Sequence, residues 1–445
     1  MTNNVEKNTT KTIVYWMVLI FIGIEFFFFL GKQGPILEKD SGVFLEDWSI
    51  LSSYGYIIYP KMLYIFKNLF GETLFLKIVF IIQALLALFT SIAVAEFFRK
   101  KCSLPFVSSV LIYVFSFGPY TYTLPQYVSS HCIITEGISF PLYNIWMILA
   151  LEFLLEKKWK YYFATLFVTV VMVLTRSQLM LFVITDILLL SVRLCKPLCD
   201  MLKRKSKIVL ISLMTFVTTL VMIVGLLFLV KCNLYPQLTD AVSGRVLCIS
   251  EEQDSVLFQG MDIKLYEEVF EITNDLQSNK KYFRTDIKMW EDIVNGTNNN
   301  TKMLPDVIRR YYPNEEVGDI KGRIAFPLLR EHIGEYLMMT GILFVQSIVV
   351  SVFYHPDWAY TFGFIIGTLL FVGAVILWGT AKRIIKKCSI SLISLGLTLG
   401  VILTICVITN LIFIGLQRYV VYPFGWFYIS CYLVIRELYN YFKCK

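Results

Sequence analysis

Charge is what this sequence lacks. Only 17% of its 445 residues are Asp, Glu, Lys or Arg, against 57% hydrophobic, and the mean hydropathy is +0.65. Soluble domains carry about 25% charged residues, so a soluble cytosolic enzyme, a secreted domain and a disordered chain are all excluded. Histidine is scarce as well, with three in the chain, and no Cys/His spacing of the metal-binding kind occurs. There is no glycine-rich phosphate loop and no internal repeat of fixed period. No small-residue cleavage site follows the first apolar run at 13–30, which therefore reads as an uncleaved first span.

What the sequence has instead is long apolar runs, at 13–30, 73–97, 104–118, 133–154, 161–175, 178–193, 208–230, 359–379, 389–414 and 420–437. A bilayer crossing takes roughly 20 residues, so these predict an all-α polytopic membrane protein with about ten transmembrane helices. Basic clusters at Lys7 and Lys11, Arg99 to Lys101, Lys157 to Lys160, and 193–207 each follow an even number of spans. By the positive-inside rule that side is the cytoplasm, and a multi-pass cell-membrane protein with both termini inside is expected. The same clusters account for the net charge of +8 as topology signals, not as a nucleic-acid footprint. The run at 333–353 would place Lys382, Arg383, Lys386 and Lys387 outside if it crossed. It is therefore expected to lie at the interface, and eleven spans follow if it crosses instead.

Three regions result: 1–230 with seven spans and the first external loop, 231–358 as a mainly helical extracytoplasmic insertion, and 359–445 with three spans. The stretch 231–330 is too long for a bare connector. It reads as short amphipathic helices around a polar "NGTNNNTK" loop. Of the ten cysteines, Cys232 and Cys248 stand at the external foot of this loop, where a disulfide between them is expected. His131, His332 and His355 map to the outer side, and interfacial anchoring is the favoured role over a metal site.

Candidate chemistry gathers on the same side. The first loop carries "GPILEKDSGVFLEDW", with Glu38, Asp40, Glu46 and Asp47, followed by Tyr54, Tyr56 and Tyr59. Glu136 sits at the mouth of the fourth span, Arg176 interrupts two apolar runs, and Arg418 separates the last two. Ionisable side chains beside hydrocarbon are costly and often functional. Two acids and two arginines on one face suit a phosphate-bearing lipid together with an alcohol, because the guanidinium offers phosphate a planar, permanently charged fork. The alternatives are a solvated loop for the acids and snorkelling anchors for the arginines. The tyrosines suit either sugar stacking or interfacial anchoring.

A first span, then "KDSGVF" and "YPKMLYIFKNLFG", then "TEGISFPL", "LTRSQ" and a late "RYVVYP", resembles the GT-C superfamily of membrane glycosyltransferases, which includes protein mannosyltransferases and aminoarabinose transferases. The resemblance implies transfer of a sugar from a polyprenyl-phosphate donor to an acceptor outside. It implies Asp40 as the loop acid with Asp47 competing, Glu136 as the second acid, and Arg176 and Arg418 on the donor phosphate. No cofactor beyond the lipid carrier is implied, and the acids leave room for a divalent metal. The large loop at 231–330 departs from the family's C-terminal soluble domain and leaves the acceptor open. Two rival readings remain, a polysaccharide polymerase or ligase relying on arginines, and a lipid-linked-sugar flippase or transporter with midplane ionisable residues.

Overall fold

The structure, a computed structural model, describes residues 2–30, 34–45, 57–122, 128–201, 239–240, 242–258, 263–276, 289–353, 360–385, 389–412 and 417–444. Among these residues the regular structure is helical, with one isolated bridge between Ile36 and Cys132. In chain order the helices are α1 (Thr2–Ile24), α2 (Lys39–Leu45), α3 (Ile58–Lys101), α4 (Phe106–Phe115), α5 (Glu136–Glu156), α6 (Trp159–Thr175) and α7 (Leu181–Met201). They continue as α8 (Ile263–Leu276), α9 (Met289–Tyr311), α10 (Val317–Glu331), α11 (Ile333–Val352), α12 (Tyr360–Ile385), α13 (Ile390–Ile412), α14 (Gln417–Val420) and α15 (Phe424–Lys443).

Six described helices are long and apolar enough to cross a membrane: Thr12–Phe29, Ile58–Lys101, Glu136–Glu156, Ile333–Val352, Gly363–Ile385 and Ile390–Val407. The expected count of ten is not reached by length. Phe106–Phe115, Trp159–Thr175 and Gln178–Ser191 are apolar but shorter, and residues 208–230 lie outside the described ones. The run at 333–353, expected at the interface, forms one continuous helix of crossing length. α3 is longer than any bilayer requires, and its 44 residues are interrupted at Gly71, whose φ of 74° only glycine adopts without strain.

The chain forms two compact units. The first comprises 1–228, 373–401 and 421–445, and the second 229–372 and 402–420. In the first, α5 and α6 are antiparallel neighbours joined by Lys157 and Lys158, with Lys157 in the left-handed region. The 21 residues of α5 span about 31 Å at 1.5 Å per residue, the thickness of a hydrocarbon core. The ends of this packet differ in character. At one, Lys101 bridges Glu152 and Glu156, Lys158 holds Glu156, and Arg99 makes a two-pronged contact with Glu96. At the other, α5 begins and α6 ends. Elsewhere in the unit, hydroxyl contacts such as Ser394 to Ser430 at 2.7 Å link α13 to α15, a bond worth about 0.6 kcal/mol between membrane helices.

The second unit carries the amphipathic helices α8 to α10. Leu265, Val269, Leu304, Ile308, Ile320 and Ile324 form its apolar core. The "NGTNNNTK" segment, expected as a loop, is helical within α9. The reason is tertiary: Asn300 donates to the Gly244 carbonyl at 3.0 Å, and the Thr301 hydroxyl donates to the Asp240 and Thr297 carbonyls. These partners satisfy side chains that would otherwise compete for the helix backbone. Cys248 is buried, with its sulfur in contact with Thr297 and Asn300. Its expected partner Cys232 lies outside the described residues.

Candidate functional site

Glu136 opens α5 and Arg176 follows the last residue of α6. Both are almost fully buried, and the Arg176 Nη1 stands 2.5 Å from the Glu136 Oε1. The antiparallel pairing of the helices places each charge favourably, an anion at a helix N-terminus and a cation at a C-terminus. Arg176 leaves the helix in an extended conformation, φ −153° and ψ 111°. Its Nε donates to the Gln178 Oε1 at 2.7 Å, and the Thr135 hydroxyl donates to the Glu136 Oε2 at 3.0 Å. Arg176 Nη1 also reaches the Thr135 hydroxyl at 3.5 Å.

Tyr422 closes this end from the chain's late segment. Its hydroxyl lies 2.8 Å from Ser139, one turn below Glu136, and it interacts with Arg176. A phenol, whose ordinary titration lies far above neutrality, is a neutral donor at physiological pH.

The first loop is anchored beside this pair through one glutamine. Gln83 of α3 accepts from the Tyr59 hydroxyl at 2.9 Å and donates to the Cys132 and Ser130 carbonyls at 2.7 and 3.1 Å. A Cβ on Gly137 would meet the Gln83 Nε2 at 2.2 Å, so the missing side chain next to Glu136 is what admits the amide. Ile36 bonds to His131 and Ile133 through the backbone, both at 2.9 Å, which ties the loop to the segment entering α5. α2 then docks through Phe44, which packs edge-on against Tyr59 and clusters with Ile134 and Ile138.

The sequence-predicted residues divide as follows. Glu136 and Arg176 are brought together as an ion pair. Asp40 lies on α2, second in that helix, and α2 docks at the same end of the unit. Tyr59 is fully buried with its hydroxyl committed to Gln83, so it supports the site from within and offers no stacking surface. Asp47, Tyr54 and Tyr56 lie outside the described residues, as does His355. Arg418 belongs to the second unit, on α14, where its guanidinium lies over the Tyr419 ring at 5.2 Å. His131, expected as an interfacial anchor, is fully buried, and its Nε2 donates to the Phe27 carbonyl at 2.9 Å. It thereby satisfies a carbonyl in the π-helical turn Glu25–Phe29 that ends the first apolar run. His332 pairs with Asp254 at 2.8 Å in the second unit.

Sequence reasoning missed Thr135, Ser139, Gln178, Gln83 and Tyr422. Tyr422 stands in the same "RYVVYP" stretch that drew attention to Arg418, and Gln83 is a lone amide inside an apolar run. Among the described residues no group of three or more His, Cys, Asp or Glu side chains could hold a metal ion. The arrangement can offer an oriented guanidinium, a neutral phenol and a hydroxyl at one end of a helix packet. No family model, curated protein or solved structure matches the chain.

Proposed function

We propose that the protein is a membrane glycosyltransferase that moves a sugar from a polyprenyl-phosphate donor to an acceptor hydroxyl at the extracytoplasmic face. The observation that carries the reading is the buried Glu136–Arg176 pair at the helix ends where α2, bearing Asp40, docks. In this reading Glu136 and Gln178 fix the plane of the Arg176 guanidinium, and Tyr422 supports it. The oriented charge meets the donor phosphate without reorganisation, the condition under which electrostatic stabilisation is strongest. Glu136 is then a positioning residue, because its oxygens already engage Arg176 and Thr135.

The Asp40 carboxylate takes the proton of the acceptor hydroxyl as that oxygen attacks the anomeric carbon. The bond between the anomeric carbon and the phosphate oxygen breaks, and the lipid phosphate leaves with its added charge facing Arg176. Attack opposite the leaving group inverts the anomeric centre.

The test is a comparison of purified variants for donor binding and for transfer. Asp40→Asn keeps shape and loses basicity, so binding should survive while transfer falls about a hundredfold or more. Arg176→Lys keeps charge but loses the fork, and both binding and transfer should fall. Asp47→Asn is the control for the loop. Full transfer in both loop variants would remove the acid-base mechanism.

A further inference from the structure

Asp186 of α7 is fully buried, and the proposed transfer does not use it. Trp146 of α5 donates its indole N–H to Oδ1 at 3.1 Å, and Thr169 of α6 lies 2.6 Å from Oδ2. Among the described residues no basic side chain pairs with it. The charged residues of the two helices packed around it are Glu136, Glu152, Glu156 and Lys160, with Arg176 just beyond α6; none is a partner of Asp186. Between Leu181 and Ser191, α7 carries no other charge.

Its depth follows from the helices. Thr169 precedes the end of α6 by six residues and Trp146 lies ten beyond the start of α5, which places the carboxyl about 9 to 15 Å below the Glu136–Arg176 pair. An ionised carboxylate held there without a counter-ion is costly, and such groups mark ion or proton pathways.

A second observation lies on α5. Ser139, Tyr143 and Trp146 recur at intervals of four and three, which puts them on one face of the helix. Ser139 meets the Tyr422 hydroxyl, the Tyr143 ring lies 5.8 Å from that of Tyr422, and it stacks on Trp146 at 6.4 Å. The Tyr143 hydroxyl is buried and has no hydrogen-bond partner among the described residues. Leaving such a group unmade costs about 1 to 3 kcal/mol, and packing alone gives no reason to retain it.

We infer that Asp186 is a proton-binding site, and that its proton exchanges toward the Glu136–Arg176 end of the unit along the α5 face that carries Ser139 and Tyr143. A metal cation fits the surroundings poorly. Hard cations take about six oxygen ligands, whereas Asp186 has one hydroxyl neighbour and one indole N–H, a group that can only donate. The inference does not depend on sugar transfer.

The experiment is infrared difference spectroscopy on the full-length protein in lipid, wild type minus Asp186→Asn, in water and in deuterium oxide at neutral pH. A neutral carboxylic C=O band should be present in the wild type, shift on deuteration and be lost in Asp186→Asn. Thr169→Val removes one partner and should shift the same band, which decides the matter if Asp186→Asn does not fold. Tyr143→Phe should slow the deuteration of that band. Carboxylate bands in place of the carboxylic one, or a signal that changes when sodium replaces potassium, would overturn proton binding. Unchanged exchange in Tyr143→Phe would overturn the route. Because no readout involves a sugar donor, a negative result here leaves the transferase reading standing, and the reverse also holds.

Discussion

The Glu136–Arg176 pair can be tested by a double-mutant cycle. Both side chains are nearly inaccessible, at 2% and 4%, so removing either leaves a charge where water does not reach it. Breaking such a pair from one side costs about 3 to 5 kcal/mol, a large share of the roughly 5 to 15 kcal/mol that holds a protein folded. Each single variant leaves the other charge with partial support: Glu136 keeps the Thr135 hydroxyl and the positive end of α5, and Arg176 keeps Gln178, Thr135 and the negative end of α6. The two single losses should therefore be of similar size. Glu136→Leu with Arg176→Met removes both charges and should cost much less than the sum, with a coupling of about 1 to 3 kcal/mol. Reversible unfolding in mixed micelles reads all four corners. Additive losses would refute the pair as a coupled unit.

Other consequences follow from the same end of the packet. Gly137→Ala should destabilise the fold by about 1 to 3 kcal/mol, because the new methyl displaces the Gln83 amide and overpacks a tight contact; melting temperature reports it, and an unchanged value would contradict the close approach. The Cys132 thiol is raised well above its ordinary value by burial first, and then by the Glu38 and Glu136 carboxylates. A raised thiol stays protonated, so at pH 8 Cys132 should resist alkylation in the folded protein and react only on unfolding; rapid labelling of the native protein would count against this environment. A single cysteine placed at Lys39 should react with an impermeant reagent in intact cells and one at Lys203 should not, while outside labelling at Lys386 would make α11 a crossing helix and restore eleven spans.

Much of the architecture is legible in the sequence because apolar length and charge clustering are local properties. The run at 73–97 falls within α3, that at 133–154 overlaps α5 from Glu136 onward, and the basic residues at Arg99, Lys101 and Lys158 do gather at one end of the packet. What the sequence hides is tertiary. "NGTNNNTK" carries every local mark of a loop, yet becomes helix because Gly244 and Asp240 supply partners from elsewhere. His131 looks like an anchor until the carbonyl of Phe27 is placed beside it. In the site, Glu136 and Arg176 are conspicuous as charges in apolar surroundings, so they could be named in advance. Gln83, Ser139 and Tyr422 are ordinary residues whose role comes from separations as large as 283 residues, which no local pattern encodes.

The most direct test of the transferase account is to incubate the purified wild-type protein with polyprenyl-phosphate sugars labelled on the sugar, and to follow both label and lipid. The account predicts that label leaves the lipid for an acceptor while free polyprenyl phosphate accumulates in equal amount. Folded protein that binds or moves the labelled lipid across a vesicle membrane, yet never separates sugar from phosphate with any donor or acceptor, would contradict it.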